Sequence, residues 1–261
     1  MKRHIILLAG LALGVYPAGA VTLYSGVDLG NATGVGTNTT NAYNSFTSVL
    51  TGFNAVADTD TLESIALGEA VNIGSAAGVT ITASCSSCDF SGTFSIKSGV
   101  QNTADGQNGY NTSSGGSHFY QVAGAEVGGT SQNTVLTLTF SSPIQVFGVF
   151  LTDIQSSLAV TTVTFNDGSP ESFVLPTSGD ATGCPASCST AGSQFFGFVT
   201  NGTVTTVTFT TVQTHAGNNS ARDIFGLDDL TIGSIATPEP GTFVLLGGAL
   251  AGLGALRLRR R

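Results

Sequence analysis

The side chains whose types and spacing could do chemistry are carboxylates near the C-terminal end and two pairs of cysteines. The stretch RDIFGLDDL (222–230) sets Asp223 just before a run that reads as a last β-strand, with Asp228 and Asp229 inside it. Neighbours on a strand point to opposite faces, so one of Asp228 and Asp229 is expected to face the interior. A buried carboxylate needs a cation or hydrogen bonds to replace its lost hydration. The cysteines fall as Cys85-x2-Cys88 and Cys184-x3-Cys188. In a reducing compartment two such pairs would fit zinc; in an oxidising one they fit disulfides. Four cysteines allow three pairings, and two local loops, 85–88 and 184–188, are the expectation adopted here. Such short loops would stiffen loop tips rather than staple the core.

Catalytic constellations are absent by the same reading. Beyond the first 20 residues the histidines are His118 and His215, and neither lies in a nucleophile elbow or a zinc-protease helix motif. The acids are too scattered to nominate a glycosidase pair, and no phosphate-cradling loop occurs. No catalytic residue is assigned, and the expectation is a protein that is not an enzyme.

Charge narrows the partners. Only 9% of the 261 residues are charged, and 35 are glycine. Between Val21 and Thr237 only Lys97 and Arg222 stand against fifteen acidic residues, a balance of −13. Such a surface repels phosphate backbones, so nucleic acid is not an expected partner. Cations, neutral sugars and other uncharged ligands suit it.

Both ends read as addresses. Lys2 and Arg3, an apolar run from Ile5 to Val15, and Ala18-Gly19-Ala20 form a secretory signal with a small-residue cleavage site. Residues 1–20 are therefore expected to be removed by signal peptidase after passage through the Sec translocon, leaving Val21 first. At the other end, Gly241 to Leu256 is apolar but only sixteen residues long, short of the about twenty a span needs. Arg257, Arg259, Arg260 and Arg261 follow, a basic stop on the cytoplasmic side of a short C-terminal transmembrane helix.

Pro238-Glu239-Pro240, then Gly-Thr-Phe, the apolar segment and the terminal arginines, closely resembles the PEP-CTERM sorting signal. That tail is carried by exported proteins of Gram-negative bacteria that make extracellular polysaccharide. The resemblance covers residues 237–261 and implies processing by an exosortase near the Pro-Glu-Pro triplet. It reaches a second segment: DTDTLESIALGEAVNIGSAAGVTIT (58–82) is similar to the early part of exported sandwich domains bearing this tail, with Leu62 where they more often carry Phe. In those domains the first and last strands lie close together. The resemblance implies a calcium ion shared by Glu63 and Asp228, with Asp223 as a further ligand.

The elements that must position these groups have period two rather than 3.6. Runs at 79–84, 90–96, 135–140, 144–151, 158–165, 171–175, 194–200, 203–211 and 224–232 read as strands. Asn166-Asp167-Gly168 and Asn201-Gly202 each read as a hairpin turn. Residues 41–50 read as a helix with Tyr43, Phe46, Val49 and Leu50 on one face. The stretches 26–41, 101–134 and 176–193 read as loops, where Tyr110, Phe119 and Tyr120 either stack on sugar rings or, as such residues more often do, cap the core. Thr137-Leu138-Thr139, Thr162-Val163-Thr164 and Thr206-Val207-Thr208 read as outward faces of half-buried strands. They lack the fixed long repeat that an ice-binding array would show.

The expectation is thus an all-β chain whose body, residues 21–236, is one antiparallel β-sandwich or jelly roll. It would be exported, tethered by its tail at the inner membrane, then released to the cell surface. Its role there would be structural or adhesive, among extracellular polysaccharide. A carbohydrate-binding module with a calcium-supported site is the alternative, and a secreted hydrolase stands third.

Overall fold

A computed structural model describes residues 21–28, 34–90, 98–101, 109–127, 130–154, 159–166, 171–175, 192–213 and 224–235. The order is β1 (Val21–Asp28), α1 (Thr37–Gly52), β2 (Val56–Asp60), β3 (Asn72–Ala76), β4 (Val79–Ser86), β5 (Gly99–Gln101) and β6 (Phe119–Ala123). Then come β7 (Glu126–Val127), β8 (Thr130–Ser131), β9 (Thr134–Thr152), β10 (Ala159–Phe165), β11 (Glu171–Val174), β12 (Ser193–Gln213) and β13 (Ile224–Ser234). The fold is mostly antiparallel β, with one α-helix among the described residues. Eleven strands share one sheet, ordered β11-β10-β12-β9-β13-β6-β5, with β1 beside β12, β4 beside β9, β3 beside β4 and β2 beside β13.

Two long strands shape that sheet. β9 and β12 pair along their whole length, Thr134 opposite Thr211 at one end and Thr152 opposite Ser193 at the other. Midway the register slips, between Val199 and Val204 and again before Thr206. Ser141, Ser142 and Pro143 lie exposed at the same level of β9, and a proline without an N–H suits such a break in the ladder. The first part of β9 and the last part of β12 pair with β4 and β10; the other parts pair with β13 and β1. Inward residues of both halves meet in one buried cluster. Leu138, Phe140, Val207 and Phe209 come from one half, and Phe147, Phe198, Phe225 and Leu227 from the other. Phe165 of β10 stacks on Phe198 with ring centroids 4.1 Å apart.

Two expectations are corrected here. The runs at 135–140 and 144–151 are one bent strand, and so are 194–200 and 203–211. Asn201-Gly202 is therefore a bend and not a hairpin turn, because each arm of β12 finds its partner in β9 rather than in the other arm. Asn166 pins that bend: its Oδ1 accepts from the backbone N–H groups of Thr205 and Thr206 and from the Thr206 hydroxyl. The β10–β11 hairpin forms as expected, with Phe165 opposite Glu171; residues 167–170 of its turn lie outside the described residues.

The continuous apolar run IQVFGVFL has a physical reason. Phe147, Val149 and Leu151 face the main core, while Val146 and Phe150 face α1 in a second cluster with Phe46, Leu50, Phe195 and Val199. Gly148 and Gly197 sit opposite one another beneath the helix. A Cβ at Gly148 would lie 2.9 Å from the Phe46 ring, so this glycine opens the notch that seats Phe46, while Gly197 makes room for the Phe195 ring. The helix keeps the expected face of Tyr43, Phe46 and Leu50 but begins at Thr37. Asp28, at the end of β1, accepts from the backbone N–H groups of Asn38 and Thr39 and so caps the first turn from a distant position. Residues 26–41 are thus part strand and part helix, and 101–134 contains β5's last residue, β6, β7 and β8. The run at 90–96 lies almost wholly outside the described residues. Among those residues no helix is long and apolar enough to cross a membrane; the tail, 237–261, falls outside them, as does the signal segment 1–20.

Candidate functional site

The carboxylates converge on one loop, Gly109 to His118, which leads into β6. From one side comes Glu63. It sits in the turn after β2, where Asp60 Oδ1 accepts from the Leu62 N–H at 2.8 Å. Leu62 has φ 62°, and its side chain is fully buried, so the core anchor and the turn together aim Glu63 at the loop. Glu63 Oε1 accepts from Asn111 Nδ2 and from the N–H groups of Ser117 and His118, each at 2.8 Å. Asn111 Nδ2 also donates to the His118 carbonyl at 2.7 Å, closing the loop on itself. Gly116 packs so closely on the Glu63 carboxylate that a Cβ there would collide with it.

From the other side come Asp228 and Asp229. The pairing of β13 with β9 slips between Asp228 and Thr231, and Asp229 has φ 49°. This bulge overturns the expectation that the two acids face opposite ways, since an irregular residue cancels strand alternation. Both carboxylates reach the same two residues. Asp228 Oδ2 accepts from Thr112 N (2.6 Å), Thr112 Oγ1 (3.0 Å) and Ser113 N (3.3 Å), and Asp228 Oδ1 accepts from Asp229 N. Asp229 Oδ1 accepts from Ser113 Oγ at 2.6 Å, and its Oδ2 lies 3.0 Å from Thr112 Oγ1. Gly109, with φ 84°, lets the loop start against Gly226 of β13, where a side chain would strike backbone.

Asp228 is fully buried. Burial, and then the adjacent Asp229 charge, push its carboxyl up to about 7, although the Thr112 and Asp229 N–H groups work in the opposite direction. At neutral pH this group is poised between a proton and any positive charge that can replace one. Tyr43 on α1 is raised by burial and by the charge of Asp229. Every acceptor and hydroxyl in the cluster is oxygen, the donor set a hard cation takes. Among the described residues no three acid, histidine or cysteine side chains close on a single point. Glu63 and Asp228 instead take different donors of one loop, and Asp223 lies outside the described residues.

The other expected sites divide cleanly. Cys85 and Cys88 form a disulfide, Cα atoms 5.7 Å apart, where β4 ends; Cys184 and Cys188 lie outside the described residues. So do Pro238, Glu239, Pro240, the four terminal arginines and His215. Tyr110, Phe119 and Tyr120 are at most 1% exposed, which decides for the core and against a sugar platform. The Tyr110 hydroxyl donates to the Gly34 carbonyl and that of Tyr120 to the Ala70 carbonyl, so both rings are spent inside the fold. His118 Nδ1 lies 3.3 Å from the Leu62 carbonyl. Sequence reasoning missed Asn111, Thr112, Ser113 and Ser117. Their one signal was a cluster of short hydroxyl and amide side chains around Gly115-Gly116.

No protein-family model matches the chain, and no curated protein matches it in sequence. Among solved structures it is similar to the K2 cleaved adhesin domain of Lys-gingipain. That match has 15% identity and a TM-score of 0.34, over 67% of this chain and 97% of that one. A likeness this low carries neither fold nor function across.

Proposed function

We propose that this is an exported surface or matrix protein, non-enzymatic, with a structural or adhesive role among extracellular polysaccharide. Its body is a β-sandwich of jelly-roll character. Residues 1–20 direct it through the Sec translocon and are removed by signal peptidase. The tail, 237–261, holds the precursor at the inner membrane until an exosortase acts near Pro238-Glu239-Pro240. One observation supports the reading: between the two addresses the described body is mostly antiparallel β, the architecture expected of it. Its first residue, Val21, lies opposite Thr200, and its last strand ends at Ser234 opposite Val56. Ile235 still donates its N–H to Gln145 Oε1 at 3.1 Å.

Within this reading calcium is an ion that Glu63 and Asp228 would reach by giving up their separate hydrogen bonds to the 109–118 loop, with Asp223 as a further ligand. Thr112 and Ser113 offer hydroxyl oxygens, and backbone carbonyls and water would complete the six to eight that calcium takes. The ion would fasten the 109–118 loop to the body.

The test is made in the native host. Replacing Pro238-Glu239-Pro240 by alanines should leave the protein in the membrane fraction with its arginine tail attached, while the unaltered chain reaches the surface without it. An unaltered chain that stays full-length in the cytosol contradicts the proposal.

A further inference from the structure

The threonine runs, which the site does not use, are brought into register by the fold. On the outer face of the half built by β4, β9, β12, β10 and β11, one row runs Ser84, Thr137, Thr208, Thr164 and Ser172, each directly opposite the next. A parallel row sets Thr82 opposite Thr139 and Thr139 opposite Thr206. At one corner Val160 faces Val212, and Val174 faces Thr162; these three valines are 42%, 46% and 68% exposed. α1 packs on the other half, against Val146, Phe150 and Phe195, and no described element covers this face. None of the side chains in these rows is charged, on a body with a balance of −13.

We infer that this hydroxyl-and-methyl face is the surface that docks a neutral polysaccharide chain, an inference that rests on the proposed role among extracellular polysaccharide. Charge chooses the class. An acidic polymer would meet a strongly acidic body, and a basic one would be drawn to the carboxylates elsewhere; an uncharged face gains from neither. Threonine and serine hydroxyls donate and accept, as sugar hydroxyls do, while the threonine methyls and valines cover the C–H faces of the rings. Same-face residues repeat about every 6.8 Å along a strand and about every 4.8 Å across strands, which gives a face of about 500–600 Å². That is below the about 800 Å² per partner of a standard protein interface, which disfavours a second copy. It suits a linear polymer held weakly at each face and firmly by many copies.

The probes are dextran and hydroxyethyl cellulose as neutral polymers, and alginate as an acidic one, each cast in a native gel through which the mature protein migrates. The protein should be retarded by a neutral polymer and not by alginate, and added salt should not restore its mobility. The variant T137V/T208V keeps strand-forming shape but deletes two hydroxyls, which also bond one another at 3.2 Å; it should lose about tenfold in retardation affinity, with an unchanged unfolding midpoint because both partners of that bond go together. T208K, which places a charge at the centre, should abolish retardation. If both variants are retarded like the unaltered protein, the face is wrong while association with polysaccharide stands. Retardation by alginate alone, or by no polymer, overturns the neutral-polymer inference even if export and tail processing hold. Sedimentation as a dimer that T208K splits would assign the face to a second copy instead, and also overturns it.

Discussion

Asp228 is where charge, burial and backbone irregularity meet. Its carboxyl stands well above the usual carboxylate range, so the folded state holds a proton that the unfolded chain releases near its ordinary value of 3.8. The stabilisation from that proton is complete below about 4 and is lost as pH rises through about 7. In calcium-free buffer, stability should therefore fall by about 2–4 kcal/mol between pH 4 and pH 8. Asp228→Asn, which copies the protonated shape, should flatten this slope in urea titrations. If calcium binds as proposed, millimolar calcium should restore the unaltered protein at pH 8 and leave Asp228→Asn unmoved. The importance of the acids was legible in the sequence; their orientation was not. Counting by twos presumes a regular ladder, and the bulge at Asp229 breaks it without a glycine or proline to announce it.

At the level of elements, α1 and the strands beneath it make a sharp test of packing. Phe46→Ala should cost about 3–5 kcal/mol by emptying the notch. Gly148→Ala should cost about 1–3 kcal/mol, because a methyl would press on Phe46 and Phe195. Combined, they should cost less than their sum, since each relieves the other; additive losses in chemical denaturation would place Phe46 elsewhere. Asp28→Ala should cost about 1 kcal/mol and fray the helix start, read by circular dichroism. Burial opposes the Asp28 charge, but the N–H groups of Thr39 and Asn38 outweigh it and hold the carboxyl below its ordinary value. This cap also explains why the helix start was misread: its capping side chain lies on β1, nine residues before Thr37, where no local signal can show it. Alternation revealed most strand segments, including β4, β10 and β13. It could not show that 135–140 and 144–151 are one strand, because the partner that keeps them continuous, β12, lies some sixty residues on. The short polar strands β2 and β3 have too few apolar residues to register as a period.

For the whole molecule, acidity and sheet architecture point the same way. A body with two basic residues against fifteen acidic ones repels copies of itself, and repulsion is least where a face carries no charge. The loop clasped by Glu63, Asp228 and Asp229 and the threonine face belong to different regions of one sheet: the acids meet the β13 end, the hydroxyl rows the β4–β11 end. The proposed destination rests on the sequence alone, because export signals are read as linear order: basic start, apolar run and small residues, then Pro-Glu-Pro, apolar run and arginines. The proposed contact face depends on rows of side chains from five strands and had to await their pairing. The account turns on an exported body cut free at both ends, and intact-mass spectrometry of the protein from its native host tests it most directly. It predicts a chain beginning at Val21, ending near Pro238, with Cys85 and Cys88 oxidised. A mass equal to the whole polypeptide from Met1 to Arg261, with free thiols, would contradict it.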